Sequence, residues 1–450
     1  MDTANTQLTS SQGRLTVIAG LNASGKTQLA ERMRRQMKSD SVRYVAFCDT
    51  YGTATDRSYY LQQRWNQHDI EELTPRVGQA LERSFQLSGS DTPERRTEQE
   101  RLYELMGMKP LLDKYVISLS SGELRKMQMV KTLMARPSTL ILDNPFIGLD
   151  AEARTMFSQQ LQLLKQQGMQ IYLLVARPNE IPPFADEMKW TTSEEKFLEH
   201  LENPEHLNYL EKSGQLYHLE SLDNPALPHE VIRLTNVSIC YGDRIILDRL
   251  NWSVQEGEHW ALSGPNGSGK STLLSLVCAD NPQGYACDIA LFGHQRGTGE
   301  SIWDIKRRIG YVSPEMHRSY LRNMPSINIV ASGLKDTVGL YAKPSESERE
   351  QCLRWMQTFS IDHLAQRSFM QLSSGEQRLI LVCRAFVKNP DLLILDEPMH
   401  GLDLHRQRQV KDIIEHYCRQ SRKTLIMVTH YEEELPACID HRLHLRNLLL

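Results

Sequence analysis

Three sequence patterns occur in the same order twice along this chain, once in each half. Each copy begins with a glycine-rich loop, continues with the segment LSSGE and ends with an apolar run that closes on an aspartate. The first copy comprises GLNASGKT at 20–27, LSSGE at 119–123 and LILD at 140–143, and the second comprises GPNGSGKS at 264–271, LSSGE at 372–376 and LILD at 393–396. Because each loop has the residue spacing that cradles a phosphate, the duplication predicts two nucleotide-binding modules.

Apolar runs alternate with helical segments around both loops. Arg14–Ala19 predicts a buried strand before the first loop, and Gln28–Met37 predicts the helix after it. Trp260–Leu262 predicts the strand before the second loop. Further elements are expected as a polar, helical region at Asp49–Tyr115, a helix at Leu119–Met134 and strands at Thr139–Leu142 and Gln170–Val175. This alternation predicts an α/β fold with a largely parallel sheet in each module.

The chain divides into a first module at 1–190, a linker at 191–229 and a second module at 230–450. The linker is acidic and broken by prolines, with one short helix expected at Ser193–Glu202. The second module opens with a β-rich flank, for which short strands are expected at Val231–Leu234, Val237–Cys240, Ile245–Leu247 and Trp252–Val254. No equivalent flank precedes Gly20, so the first module is expected either to lack the β-rich flank or to have an abbreviated N-terminus.

Composition limits the class of protein. The net charge of -4 gives no electrostatic signature of nucleic-acid binding. The 8 cysteines show no C-x-x-C spacing, which indicates cytosolic thiols and neither a disulfide framework nor a zinc site. The N-terminus lacks the apolar core of a signal peptide, and no stretch approaches the ~20 apolar residues of a spanning helix, so a cytoplasmic protein is expected. His259, Trp260 and His294 are interpreted as packing residues without a functional role.

The glycine-rich loops carry the predicted phosphate chemistry. Glycines let the backbone wrap an anion, and the helix that follows adds positive potential. The predicted nucleotide-binding residues of the loops are Gly20, Asn22, Gly25, Lys26 and Thr27, then Gly264, Asn266, Gly267, Gly269, Lys270, Ser271 and Thr272. The lysines would reach the β- and γ-phosphates, and Thr27 and Ser271 would offer a hydroxyl to Mg²⁺. Asp143 and Asp396 end apolar strands, where a carboxylate orients Mg²⁺.

The order of these motifs resembles the ATP-binding cassette (ABC) superfamily of P-loop NTPases. The tandem arrangement and the stretch GEHWALSGPNGSGKSTLLSL resemble, more narrowly, the duplicated ATP-binding proteins of molybdate transport and photorepair. The resemblance implies two cassettes, each a parallel-sheet core with a helical signature subdomain, that use ATP and Mg²⁺ and hydrolyse ATP.

In that superfamily the signature segment of one cassette contacts the ATP held by the other. Carried over, Ser120 and Gly122 would contact ATP at the second loop, and Ser373 and Gly375 would contact ATP at the first. Both signatures depart from the usual LSGGQ, because Ser121 and Ser374 replace a glycine and Glu123 and Glu376 replace a glutamine.

The two predicted sites are unequal. In the second module, Glu397 stands at the position of the family's general base. In the first module, Asn144 stands there, and its amide cannot accept a proton at neutral pH. The family's switch histidine is matched by His430 in the second module, whereas Arg177 stands at the corresponding place in the first. Tyr241 stands where the family stacks an aromatic ring on adenine. The resemblance therefore implies hydrolysis mainly at the second loop, with Glu397, His430 and Lys270 as catalytic residues and ATP held at Lys26.

The family also has a glutamine that links Mg²⁺ to the transporter-facing surface. In the first module Gln62 or Gln63, after Tyr59–Leu61, could serve. In the second module Ile309–Val312 is followed by Ser313, Pro314 and Glu315, without a glutamine.

Three functions are compatible with these motifs. The leading hypothesis is an ATPase that drives a separate membrane permease of the molybdate type. Such a protein would associate peripherally with the inner membrane face, and its two cassettes would pair within one chain in preference to a homodimer. A soluble cassette pair acting on ribosomes or nucleic acid is disfavoured by the short, proline-broken linker. A nucleotide-gated regulator with little turnover is disfavoured by Glu397 and His430.

Overall fold

The computed structural model describes residues 13–20, 24–37, 41–46, 75–116, 119, 121–146, 149, 151–191, 230–241, 244–265, 267–314, 316, 323–337, 343–420 and 422–446. The described residues fall into two compact units, the first within 13–191 and the second within 230–446. Most of the predicted linker, including Ser193–Glu202, lies outside the described residues, so the domain boundaries stay a prediction.

The first unit is built on a five-stranded parallel sheet with strand order β2-β3-β4-β1-β5. Its elements are β1 Leu15–Ala19, α1 Lys26–Met37, β2 Val42–Ala46, α2 Val77–Leu87, α3 Pro93–Met106, α4 Ser121–Leu133, β3 Thr139–Asp143, α5 Ala151–Gln166, β4 Gln170–Val175 and β5 Glu187–Trp190. Strands β1 and β3 are almost wholly buried. Strands covered on both faces read as continuous apolar runs, which is why the sequence predicted them.

The second unit repeats this arrangement in its own parallel sheet, with strand order β11-β12-β13-β8-β14. Its elements are β6 Glu230–Tyr241, β7 Arg244–Gln255, β8 His259–Ser263, α6 Lys270–Val277, β9 Asp288–Leu291, β10 His294–Gln295, α7 Ile302–Arg308, β11 Ile309–Val312, α8 Ser326–Ser332, α9 Glu346–Thr358, α10 Ser374–Phe386, β12 Leu392–Asp396, α11 Leu404–Arg419, β13 Thr424–Val428 and β14 His441–His444. The two sheets correspond strand by strand: β2 to β11, β3 to β12, β4 to β13, β1 to β8 and β5 to β14. The prediction of two α/β cassettes with parallel cores is confirmed.

The β-rich flank of the second unit is an antiparallel sheet of order β10-β9-β6-β7. The prediction of four short strands was wrong, because β6 and β7 are each 12 residues long and pair along their length. Register shifts between Leu234 and Val237 interrupt the apolar alternation there, and Asn236 adopts a positive φ of 52°. Such a bulge breaks the sequence pattern without ending the strand.

A helical region precedes the second LSSGE segment and forms the signature subdomain. Helices α8, α9 and α10 share one apolar core, in which the rings of Trp355, Phe359 and Phe386 pack at centroid distances of 5.5 to 6.4 Å. The corresponding region of the first unit contains α2, α3 and α4. Within the described ranges, no helix has the length and apolar character needed to cross a bilayer.

Candidate functional site

The first glycine-rich loop leads directly into α1. Gly25 has a φ of 86°, a left-handed conformation that glycine adopts without a steric penalty. Lys26 opens α1 and is buried, and its Nζ donates to the carbonyl oxygen of Gly20 at 2.6 Å. The ammonium group therefore lies beside Gly20, the first residue of the loop. Asn22 lies outside the described residues.

Oxygen ligands suited to Mg²⁺ meet beside this loop. The Thr27 hydroxyl donates to Asp143 Oδ2 at 2.8 Å, and the Tyr44 hydroxyl donates to the same oxygen at 2.8 Å. Asn144 donates its side-chain amide to the other carboxylate oxygen, at 2.9 Å. Hydroxyl and carboxylate oxygens form the hard donor set that Mg²⁺ prefers, so Thr27 and Asp143 fit this metal. Sequence reasoning missed Tyr44, which lies on the adjacent strand β2.

The second loop is held by close packing against the antiparallel sheet. Gly269 has a φ of 94°, and a Cβ there would lie 2.9 Å from Leu247 Cδ2. Lys270 Nζ donates to the carbonyl oxygens of Gly264 at 2.7 Å and Pro265 at 3.0 Å, as Lys26 does to Gly20.

The other residues of the second loop and its acidic strand end occupy positions that match those of the first unit. Gly267 also has a positive φ, 82°. Ser271 and Thr272 lie in the first turn of α6, and Asp396 ends β12 with 9% of its surface exposed. Ser271 and Asp396 supply the same types of oxygen as Thr27 and Asp143. Asn266 lies outside the described residues.

The second signature segment starts helix α10. Ser373 is its N-cap, with its hydroxyl accepting from the Glu376 backbone N–H at 3.3 Å while Glu376 Oε2 accepts from the Ser373 backbone N–H at 2.8 Å. Glu376, which stands where the family has a glutamine, therefore has a structural role in this capping box. Gly375 is buried in the first turn. In the first unit Gly122 lies in the first turn of α4, and Ser120 lies outside the described residues.

A buried arginine follows each signature segment at the same position and was not predicted. Arg378 Nη2 donates to the carbonyl oxygen of Asp396 at 2.7 Å, and its Nη1 donates to that of Ser313 at 3.0 Å. Arg125 Nη1 donates to the carbonyl oxygen of Pro145 at 3.0 Å. Each arginine therefore ties its signature helix to the turn that carries the acidic strand end. Its recurrence in LSSGELR and LSSGEQR was the available sequence signal.

Glu397 is held between two histidines at the end of β12. His400 Nδ1 lies 2.9 Å from Glu397 Oε2, and His430 Nε2 lies 3.3 Å from Glu397 Oε1. The exposed fractions of these side chains are 19% for Glu397, 10% for His400 and 9% for His430. Burial raises the pKa of the Glu397 carboxyl, but hydrogen bonds from both histidines and their charges outweigh it and hold that pKa well below its ordinary value. The Glu397 carboxyl is therefore ionised at neutral pH. Sequence reasoning predicted Glu397 and His430 and missed His400.

Asn144 occupies the corresponding backbone position in the first unit. Glu397 has a φ of 49° and donates its N–H to the Val428 carbonyl at 2.8 Å, while Asn144 has a φ of 51° and donates its N–H to the Leu174 carbonyl at 3.1 Å. The strand registers pair Asp143 with Leu174 and Asp396 with Val428, so the residue at the position of His430 is Ala176. The prediction that Arg177 occupies this position was wrong by one residue, and Arg177 is the next, buried residue. The first unit thus reproduces the backbone around Glu397 but offers no carboxylate at this place.

Two further predictions concern Tyr241 and the glutamine that follows the third strand. Tyr241 ends β6, packs half-buried against the core of the second unit, and its hydroxyl accepts from Asn281 Nδ2 at 3.0 Å. The strand beside β3 is β2, Val42–Ala46, and not the run Tyr59–Leu61 from which Gln62 and Gln63 were counted. Both glutamines and Glu315 lie outside the described residues.

Comparison with known proteins gives the family. A family model described as ABC transporter matches residues 3–147 and 247–400. The ABC transporter ATP-binding protein ModF of Escherichia coli is 36% identical over 97% of this chain and 92% of its own length. An uncharacterised ABC transporter ATP-binding protein of Schizosaccharomyces pombe is 31% identical over 75% of this chain and 70% of its own. A solved nucleotide-free ATP-binding cassette from an ABC transporter covers 48% of this chain and 88% of its own, at 20% identity and a TM-score of 0.41.

Proposed function

This chain belongs to the ABC transporter family as an ATP-binding protein with duplicated cassettes, and from that premise we propose that it hydrolyses ATP mainly at the second phosphate-binding loop. ATP at the first loop is bound and held. The observation that carries the proposal is the carboxylate of Glu397 between His400 and His430, at a backbone position where the first unit has Asn144.

The proposed chemistry is transfer of the γ-phosphoryl group of ATP to water. The water oxygen bonds to the γ-phosphorus as the bond to the ADP oxygen breaks, and the water proton passes to Glu397. Lys270 leaves the loop carbonyls and neutralises the β- and γ-phosphates, while His430 orients the carboxylate through its 3.3 Å contact. Mg²⁺, when bound with ATP, neutralises charge on the phosphates, and Ser271 and Asp396 would hold it there, as Thr27 and Asp143 would at the first loop. Ser120, Gly122, Ser373 and Gly375 complete nucleotide binding, and Tyr241 stacks on adenine.

Substitution of the two matched positions tests this assignment. Loss of a general base costs about 10²–10⁴-fold in rate, which is ~3–5 kcal/mol of barrier. Glu397→Gln should therefore lower the steady-state ATPase rate by that factor while ATP binding persists. Asn144→Ala, the matched control, should change the rate less than about 10-fold, since it removes no proton acceptor. The reverse pattern, with turnover lost in Asn144→Ala and kept in Glu397→Gln, would falsify the proposal.

The proposed partner is a separate membrane permease, with the chain attached at the inner face of the membrane. Membership of a transporter family supports a permease, and the subfamily resemblance supports molybdate as its substrate. We would purify Glu397→Gln with ATP and Mg²⁺ and identify the bound proteins by mass spectrometry, with Lys270→Ala as the control that cannot bind ATP productively at the second loop. A multi-span membrane protein enriched by Glu397→Gln alone supports the proposal. Enrichment of ribosomal or DNA-repair proteins, or of no partner, contradicts it and favours the soluble alternatives.

A further inference from the structure

Three ligand-type side chains meet at the end of the second unit's parallel sheet that lies away from the phosphate-binding loop. His259 begins β8, Cys418 lies in the last turn of α11, and Cys438 lies in the segment before β14. One ligand atom from each lies within 4.8 Å of the others. The loop follows the carboxyl end of β8, whereas His259 lies at its amino end. The cluster is therefore separate from the candidate nucleotide site.

The spacing of the three atoms suits a tetrahedral metal. Bond lengths of about 2.3 Å to sulfur and about 2.0–2.1 Å to nitrogen place ligand atoms roughly 3.5–3.8 Å apart. The Sγ atoms of Cys418 and Cys438 and a ring nitrogen of His259 all lie within 4.8 Å of one another, close to that spacing. A small change of side-chain torsion angles would therefore bring the cluster to bonding geometry.

The two ring nitrogens of His259 face backbone carbonyl oxygens. Nε2 lies 3.2 Å from the Lys423 oxygen and Nδ1 lies 3.1 Å from the Cys438 oxygen. A neutral imidazole has one N–H, so it can donate to one of them. If Nε2 donates to the Lys423 carbonyl oxygen, the lone pair of Nδ1 faces the Cys438 carbonyl oxygen. A cation bound at Nδ1 would relieve the repulsion between these two lone pairs. Metal-bound histidines characteristically donate the other N–H to a carbonyl in this way.

Two carboxylates lie near the cluster, and one of them, Asp440, also has His441 Nδ1 2.7 Å from its Oδ1. Asp440 Oδ2 lies 3.8 Å from His259 Nδ1. Glu415 Oε1 accepts from the Ala437 backbone N–H at 2.9 Å and so fixes the segment that carries Cys438. Both carboxylates interact electrostatically with the two thiols. The negative charge complements a divalent ion that binds thiolates.

We propose that His259, Cys418 and Cys438 bind a thiophilic divalent cation of the zinc class. Each thiol releases its proton as its sulfur binds the metal, and the fourth position is left for water or for the Asp440 carboxylate. The bound ion joins β8, α11 and the segment before β14. The cysteine spacing predicted no such site because the ligands come from three distant parts of the chain.

Metal titration of the reduced, chelator-treated full-length protein tests the proposal. Cd²⁺ serves as the probe, because thiolate coordination gives it a charge-transfer absorption, and Zn²⁺ competition gives the zinc affinity. One equivalent should bind tightly to the unsubstituted chain. Cys438→Ser, Cys418→Ser and His259→Gln should each lose at least the ~10–100-fold in affinity that even outer-shell changes cost. Cys287→Ser, a half-buried thiol outside the cluster, is the matched control and should bind as the unsubstituted chain does.

The unsubstituted chain decides the result even if a variant fails to fold. Absence of saturable Cd²⁺ absorption would overturn the proposal, as would equal loss in Cys287→Ser. So would a metal-free protein that forms a Cys418–Cys438 disulfide in air and binds no Zn²⁺ after reduction, because the thiols would then be a redox pair.

Discussion

At the residue scale, the two cassettes differ most at a position whose backbone is unusual. Glu397 and Asn144 both adopt a left-handed conformation, with φ of 49° and 51°. Asparagine tolerates this conformation better than glutamate does, so Glu397 occupies it at a conformational cost. Strain of this kind persists where surrounding contacts fix it, and here His400 and His430 fix the side chain. The second unit thus retains a strained carboxylate, and the first has a residue that suits the backbone but carries no base.

His400 should set the acid limit of turnover as a positioning residue. His400→Gln keeps a hydrogen-bond donor but removes the charge that lowers the pKa of Glu397, so that pKa should rise towards its ordinary value. A general base works above its pKa, so the acid limb of the kcat profile should move to higher pH. His363→Gln, at an exposed histidine far from Glu397 in the sequence, is the control for loss of an imidazole. An unchanged pH profile with a merely lower kcat would indicate that His400 only supports the local fold.

At the element scale, sequence reasoning located the central strands well and the strand boundaries of the flank poorly. Buried parallel strands such as β3 and β12 are short apolar runs that end in a polar residue, so their pattern is unambiguous. Strands β6 and β7 are interrupted by bulges, and the pattern of a bulged strand resembles two short strands. The contacts of Tyr44, Arg125 and Arg378 depend on which elements become neighbours. Sequence order alone does not determine which elements are neighbours.

Two capping boxes in the second unit allow helix stability to be separated from nucleotide binding. Ser373 caps α10 and Ser345 caps α9 with the same reciprocal bonds, to Glu376 and Glu348. Alanine at either position should lower the free energy of unfolding by about 1 kcal/mol, measured by urea denaturation. Only Ser373→Ala should also weaken ATP binding, because Ser373 belongs to the signature segment. Equal effects of Ser373→Ala and Ser345→Ala on ATP affinity would show that Ser373 serves as a cap alone.

At the scale of the whole molecule, the duplication extends to the order of the five described strands in each parallel sheet, whereas Asn144 and Ala176 stand in the first unit at the positions of Glu397 and His430. The repeated motifs predicted the paired cassettes because each motif sits at a fixed point of the fold. They could not predict the cluster of His259, Cys418 and Cys438. Its members share no motif and are adjacent only because β8 and the segment before β14 lie beside the end of α11.

The covalent connection between the cassettes should make their ATP-dependent closure intramolecular. Joined modules see each other at an effective concentration on the order of mM, far above the concentration of separate chains in an assay. Glu397→Gln with ATP and Mg²⁺ should therefore keep the 51.8 kDa mass of one chain in light scattering. The ATPase rate per mole of the unsubstituted chain should be independent of protein concentration. A mass of two chains that appears on addition of ATP, together with a specific rate that rises with concentration, would instead place the closed sites between two copies of the chain.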